Sequence, residues 1–171
     1  KRQVDNNDQK SIGQSFPTTT MGIDVTLKYK GIGLYILGTV TTGITKLCTS
    51  SYYWNSGLNG YSVLASDRYH PVNNPEGTQP RLTTMAADNN QRNSTFWTEN
   101  GSFFRLKNIE LSYTLANKSG KGIGKNYKFF LRGTNLFVLS GIKDLDPERI
   151  LSGVTNYPTY RTVTGGLSIS F

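Results

Sequence analysis

Three carboxylates at alternate positions form a candidate site for a metal ion. Asp144, Asp146 and Glu148 stand in KDLDPER, and hard oxygen ligands spaced in this way suit Ca²⁺. The spacing and the loop glycine of an EF-hand are absent, and Pro147 indicates a turn. The pattern therefore favours a turn over a calcium site, and we expect no metal and no cofactor.

Two further patterns could do chemistry, and both are weak. The run GKGIGK, residues 120–125, is glycine-rich like a phosphate-binding loop, but a strand pattern follows it where such a loop needs a helix. The sequence has one histidine, His70 beside Pro71, and no nucleophile stands at a known spacing from a base. We therefore expect a basic turn at 120–125 and no catalytic residues, so the protein is not predicted to be an enzyme.

Aromatic side chains in the segment between residues 47 and 102 could stack on the apolar faces of sugar rings. Loops often carry function, which makes these rings candidate substrate contacts. Two other roles stay open: the rings could pack a core of the loop itself, or lie in an aromatic girdle at a membrane interface. The candidates are Tyr52, Tyr53, Trp54 and Trp97, with Tyr61, Tyr69 and Phe96 as further members of the same set.

Composition favours β structure with long loops. The chain has 171 residues, of which 36% are hydrophobic and 18% charged, with many glycines and tyrosines. The net charge of +8 suits phosphates, but no nucleic-acid-binding motif is present, so we expect no nucleic-acid partner. No apolar run reaches the roughly 20 residues of a membrane helix. The opening KRQVDNNDQK, without Met, is typical of a cleaved product or of a fragment of a longer chain.

Apolar and polar residues alternate with a period of two in several segments. In TMGIDVTLKYK, for example, Met21, Val25 and Tyr29 share one face, and Asp24 and Lys28 lie on the other. In FFRLKNIELSYTL the phase breaks, because Arg105 and Lys107 fall on the apolar face; we expect a β-bulge or a strand that extends beyond a bilayer. The predicted strands lie near 19–30, 33–46, 103–115, 127–139 and 160–171.

The connections alternate between short and long, which is how outer-membrane barrels are built. On this pattern the loops 47–102 and 140–159 are extracellular and the turns between them periplasmic. Five strands cannot close a membrane barrel, whose bacterial forms begin at about 8 strands, and open edges are not tolerated in hydrocarbon. We therefore expect an all-β antiparallel transmembrane sheet that meets outer-membrane lipid and pairs with further strands of a larger barrel.

Several blocks together resemble the C-terminal part of SusC/RagA-type TonB-dependent outer-membrane transporters. They are DRYHPVNNPEGTQPRLTT, NGSFFRLKNIELSYTL, FLRGTNLFVLSGIKDLDPE and YPTYRTVTGGLSISF. The resemblance implies a plugged barrel of roughly 22 strands in the cell outer membrane, with a SusD-like surface lipoprotein as lid and energy from the TonB complex. It implies import of glycans or, in some members, peptides. The plug domain and the segment that contacts TonB are absent from this chain.

The ending YRTVTGGLSISF resembles the signal by which the barrel-assembly machinery recognises its substrates. On that resemblance Tyr160, Val163, Leu167, Ile169 and Phe171 would carry the signal. A plain edge strand is the other interpretation of the same residues.

Two alternatives to a glycan importer stay open. A soluble or secreted antiparallel β domain that binds carbohydrate would turn its half-polar strands toward water. A TonB-dependent importer of peptides or siderophores would keep the barrel and change the substrate.

Overall fold

The computed structural model describes residues 8–55, 57, 60–84, 89–117 and 125–171. The chain forms two compact units, which we call the sheet unit (17–42, 102–141 and 158–171) and the loop unit (1–16, 43–101 and 142–157). Most of the GKGIGK run lies outside the described residues, so the basic turn predicted there has no structural counterpart to compare.

Within the described residues the chain has seven strands and three short 3-10 helices. The strands are β1 (Thr19–Tyr29), β2 (Ile32–Thr42), β3 (Thr45–Leu47), β4 (Thr98–Asn100), β5 (Phe103–Ala116), β6 (Asn126–Ser140) and β7 (Thr162–Ser170). The 3-10 helices are Val63–Asp67, Thr95–Trp97 and Ile150–Ser152. No helix in the described part of the chain has the length and apolar character needed to cross a membrane.

The sheet unit is one antiparallel sheet of five strands in the order β1-β2-β5-β6-β7. The all-β antiparallel fold class predicted from the sequence is therefore confirmed. β1 and β2 are joined by a two-residue turn, in which Lys30 and Gly31 have φ of 46° and 89°. Positive φ at both central residues matches the twist of a hairpin, and Gly31 takes it without a Cβ penalty.

Cross-strand register makes one face of this sheet apolar from edge to edge. One row runs Leu27, Leu34, Leu111, Leu131 and Gly165, each opposite the next. Side chains on this face are exposed; for example, Leu27 is 58% and Leu131 is 56% exposed. Neighbouring rows repeat the pattern, with Val25, Ile36, Ile109, Gly133 and Val163 in one and Tyr29, Ile32, Tyr113, Phe129 and Leu167 in the next.

A bulge in β5 explains the phase break in the sequence. The consecutive residues Leu37 and Gly38 lie opposite Asn108 and Leu106, so β5 has one extra residue, Lys107. Because side chains alternate with a period of two, one extra residue exchanges the faces beyond it. Leu106 therefore lies on the apolar face and Arg105 on the polar face. Of the two explanations offered for the phase break, the structure contains the β-bulge.

β2 ends at Thr42, earlier than the 33–46 segment that alternation predicts. Gly43 has φ of 71°, which turns the chain out of the extended conformation. Residues 45–47 then form β3, which pairs with β4 in a separate two-stranded sheet. The apolar residue Ile44 is thus part of the loop unit, and the predicted long loop contains ordered structure.

The loop unit has its own hydrophobic core. Cys48, Tyr53, Trp97, Ile142 and Ile150 are buried together, and Ile150 is only 1% exposed. The backbone N–H of Cys48 donates to the carbonyl of Trp97 at 2.7 Å, which ties the two ends of the segment 48–97. Partly buried side chains that pack against this core are Leu47, Tyr52, Trp54, Leu64 and Leu145.

Candidate functional site

The polar face of the sheet carries a charged cluster centred on Glu110. Its carboxylate accepts a hydrogen bond from Lys128 Nζ at 2.7 Å and from Arg132 Nη2 at 2.6 Å. The Glu110 side chain is 10% exposed, whereas Lys128 and Arg132 are 41% and 49% exposed. Charge-assisted hydrogen bonds of this kind fix side-chain geometry, so the cluster joins β5 to β6 across the face.

Phe130 lies between the two cations of this cluster. The Lys128 ammonium is 5.8 Å and the Arg132 guanidinium 5.4 Å from the centre of its ring, within the range of cation–π attraction. Gly166 lies opposite on β7, and a Cβ at that position would clash with the ring. The close approach of the Phe130 ring therefore explains why β7 has a glycine at position 166. The charged groups of the cluster are ordered on this polar face.

The five residues of the predicted assembly signal are all exposed. Val163, Leu167 and Ile169 lie on the apolar face of β7, which pairs with β6 and forms one edge of the main sheet. Phe171 follows β7 and is 76% exposed, and Tyr160 precedes it. The structure thus places three of the five on one surface, and their recognition role stays a prediction.

The loop aromatics divide into buried and surface rings. Tyr53 and Trp97 are 8% and 5% exposed, and this burial favours the packing role over ligand contact for both. Tyr52 and Trp54 are half-buried, each with its ring edge-to-face against a core ring: Tyr52 at 5.2 Å from Tyr53 and Trp54 at 6.4 Å from Trp97. Sugar contact by Tyr52 and Trp54 stays a prediction.

Burial also controls the chemistry of the one cysteine. Desolvation raises the pKa of the Cys48 thiol from 9.0 to about 11, and the nearby Glu99 carboxylate adds to the effect. Burial likewise raises the pKa of the neighbouring Tyr53 hydroxyl. A thiol that stays protonated at neutral pH is a poor nucleophile, so Cys48 is a packing residue of the loop core.

A cleft lies beside this core, and among the four main aromatic candidates Trp97 is the one that lines it. It encloses about 810 Å³ and contains the exposed ring of Phe96, which is 54% exposed. The Phe96 ring stands edge-to-face on Trp97, with 4.7 Å between ring centres and an angle of 87°. We call it the Phe96 cleft; its lining residues are Asp8, Gln9, Lys10, Ile12, Pro80, Asn89, Asn90, Arg92, Asn93, Ser94, Thr95, Phe96 and Trp97.

The lone histidine and the nearby aspartate stabilise a turn. His70 Nδ1 accepts hydrogen bonds from the backbone N–H groups of Val72 and Asn73 at 3.2 and 3.0 Å. Asp67 accepts from the hydroxyl of Thr78 and from its backbone N–H, and these hydrogen bonds lower the pKa of the Asp67 carboxyl. These hydrogen bonds give the segment 67–78 an ordered turn.

The KDLDPER carboxylates also take part in a turn. Asp146 Oδ1 accepts from the backbone N–H of Glu148 at 2.9 Å, and Pro147 between them is fully buried. Among the residues that the structure describes, no three His, Cys, Asp or Glu side chains are grouped as ligands of a metal ion.

Comparison with known sequences finds receptors that the chain matches along nearly all its length. No family model matches the chain. TonB-dependent receptor P26 of Formosa agariphila is 30% identical over 183 aligned positions, which cover 98% of this chain and 18% of the receptor. TonB-dependent receptor P3 of the same organism is 25% identical over 99% of this chain and 18% of its own length. The chain thus spans less than a fifth of either relative.

Comparison with solved structures finds the same fold. A chain of the RagAB peptide importer in its closed-closed state superposes with a TM-score of 0.72 at 24% identity, covering 99% of this chain and 20% of that one. The open-open state gives 0.70 at 24% identity, over 92% and 17%. The resemblance to TonB-dependent receptors is therefore confirmed over nearly the whole chain, and the fold matches that of chains of the RagAB importer.

Proposed function

We propose that this chain forms part of the wall of a TonB-dependent nutrient importer in the outer membrane. The observation that carries the proposal is the two-faced sheet, apolar and exposed on one side and charged on the other. Strands of a membrane barrel alternate in this way, because one face meets lipid and the other meets a polar interior. The apolar face would contact lipid, and the Glu110 cluster would line the interior.

The edges of the sheet support a larger assembly. β1 and β7 are the outer strands of the five-stranded sheet, and an edge with unpaired N–H and C=O groups is very costly in hydrocarbon. The remaining strands of the same transporter would therefore pair with β1 and β7, and a plug would occupy the interior. On this arrangement the segments 47–102 and 140–159 lie on the extracellular side, where a SusD-like lipoprotein would cover the barrel.

The most favoured substrate is a glycan. Both tryptophans and most of the asparagine and glutamine side chains lie in the loop unit, and together they suit sugar rings and hydroxyl groups. Peptide import is the second candidate, favoured by the similarity of the fold to chains of the RagAB peptide importer. In either case the TonB complex would supply energy through parts of the transporter outside this chain.

Membrane fractionation and uptake test the proposal on the full-length protein in its host. We expect the protein in the outer-membrane fraction, with heat-modifiable migration on gels, and we expect deletion of its gene to abolish uptake of a glycan. A protein that stays monodisperse in buffer without detergent would contradict the membrane assignment and support the soluble carbohydrate-binding alternative. Loss of peptide uptake with unchanged glycan uptake would favour the second candidate.

The predicted assembly signal can be tested separately. We expect Phe171→Ser to lower the amount of assembled transporter in the outer membrane, because the barrel-assembly machinery would lose an aromatic contact at the end of β7. Uptake per assembled molecule should not change. Phe16→Ser is the matched control, since Phe16 is an equally exposed phenylalanine of the loop unit. Equal assembly of both variants would reduce the ending to an ordinary edge strand.

A further inference from the structure

We propose that the Phe96 cleft is a saccharide-binding subsite in which the Phe96 ring is the stacking platform. The proposal rests on the proposed function, since it assigns part of the substrate contact to one place in the loop unit. Phe96 takes the role for which Tyr53 and Trp97 were predicted, because those two rings are buried in the loop core.

The platform is held rigidly before any ligand arrives. Thr95–Trp97 form a 3-10 turn, and the indole N–H of Trp97 donates to the carbonyl of Asn90 at 2.8 Å. The carbonyl of Trp97 accepts from Cys48 N–H, so both sides of the Trp97 residue are anchored. Since Phe96 stacks edge-to-face on this fixed indole, a ligand that covers the Phe96 ring need not order it.

The groups around the platform match the hydrogen bonding of sugar hydroxyls. Arg92, Asn93, Ser94 and Thr95 directly precede Phe96 in the sequence and line the same cleft. Amides and hydroxyls both donate and accept, and the guanidinium donates, which is what hydroxyl-rich rings require. The volume of about 810 Å³ lies in the range of small-molecule sites, roughly 300–1,000 Å³.

Charge and geometry favour a saccharide over a peptide in this cleft. Lys10 and Arg92 are cationic and Asp8 is anionic, so the lining has no strong field to select a highly charged ligand. An extended peptide is typically recognised by a row of backbone groups at a sheet edge. Here amide, hydroxyl and guanidinium side chains line the cleft around one exposed ring, and such a ring would stack on the C–H face of a sugar.

Binding by the purified full-length transporter to an array of defined oligosaccharides tests the subsite. We expect at least one oligosaccharide to bind, Phe96→Ala to weaken that binding by about tenfold, and Phe96→Tyr to restore it, because tyrosine keeps the ring. Phe16→Ala is the matched control, as a phenylalanine of the same unit that does not line the cleft. Asn93→Ala should also weaken binding, whereas Asn73→Ala, outside the cleft, should not.

The outcomes of these binding experiments distinguish failure of the subsite from failure of the glycan substrate. Glycan binding that is unaffected by Phe96→Ala and Asn93→Ala would overturn the subsite while leaving the glycan importer intact. Binding of an arrayed peptide library but of no oligosaccharide would overturn both the subsite and the glycan substrate, as would the absence of any glycan ligand. If Phe96→Ala perturbs folding, seen as a change in the fluorescence of buried Trp97, the Asn93 and Tyr variants carry the test.

Discussion

The loop unit and the sheet unit place their apolar side chains in opposite ways. In the loop unit Cys48, Trp97 and Ile150 are buried with one another, as in an ordinary water-soluble domain. In the sheet unit most large apolar side chains of the strands are exposed, while Arg105 and Glu110 are among the most buried polar residues of the described chain. One sequence therefore contains one unit that buries its apolar side chains and one that exposes most of them.

The physical cause of this difference is what each unit can bury. A single sheet has two faces, and on the proposed barrel arrangement hydrocarbon lipid would supply to the apolar face the contact that a core supplies elsewhere. The loop unit gains stability from removing its rings from water, at about 25 cal/mol per Å² of apolar area. Substitutions in the two units should therefore respond differently to the presence of a membrane.

The largest expected effect comes from opening the loop core. Trp97→Ala should destabilise the loop unit by about 3–5 kcal/mol, because it removes a buried ring and leaves a cavity. Hydrogen exchange of the full-length protein in detergent should show lost protection at Cys48 and its neighbours, with β5 and β6 unaffected. Phe96→Ala is the control, since Phe96 is more than half exposed; equal effects of the two would contradict a core at this place.

A charge on the apolar face should have the next largest effect. Val25→Lys should cost about 2–4 kcal/mol in a bilayer, because the ammonium would lie in hydrocarbon. Thr26→Lys, one residue along β1 on the polar face, should cost far less. Denaturant unfolding of the transporter folded in lipid vesicles measures both. Equal costs would mean that both faces meet water, and the comparison between the units would fail.

A smaller effect is expected at the centre of the polar face. Glu110→Gln removes two ion pairs, but Lys128 and Arg132 are partly exposed and screened, so we expect a loss of about 1 kcal/mol. A double-mutant cycle with Lys128→Met isolates the pair, and the coupling should fall as salt is raised. Coupling that is absent at low salt would show that the cluster does not connect β5 with β6.

The smallest effect concerns the pH dependence of the loop core. Because burial raises the pKa of Cys48 to about 11, the thiol should react slowly with iodoacetamide until the pH approaches that value. The folded state holds the proton more tightly than the unfolded state, so the stability from this group is complete below about pH 9 and falls as the pH rises toward 11. Trp97→Ala should speed alkylation, and rapid alkylation of the unsubstituted protein at pH 8 would contradict the burial.

Much of the sheet could be predicted from periodicity because alternation is a local property. The residues Met21 to Tyr29 define a face with no knowledge of any neighbour, and the register then matches those faces across all five strands. The phase break at Arg105 was visible too, but a bulge and a strand leaving the bilayer give the same pattern. Only the pairing with Leu37 and Gly38 distinguishes them.

The end of β2 shows where periodicity fails. Ile44 continues the alternation of the strand, so the sequence predicts a strand as far as residue 46. The backbone turns at Gly43, and Ile44 becomes a buried residue of the loop unit. A glycine within an alternating segment is compatible with a strand, a bulge or a turn. Which of them forms depends on the strand that pairs with the residues after the glycine, here β4 with residues 45–47.

Residue type and order alone show that the strands are two-faced and that the long loop contains both tryptophans and five further aromatic rings. Which rings are accessible follows from the folded structure: Trp97 and Phe96 are adjacent in the sequence, yet Trp97 is buried and Phe96 is exposed. Burial depends on contacts between residues far apart in the chain, here Cys48, Trp97 and Ile150. No local pattern encodes such contacts, and for that reason the Phe96 cleft emerged only from the folded loop unit.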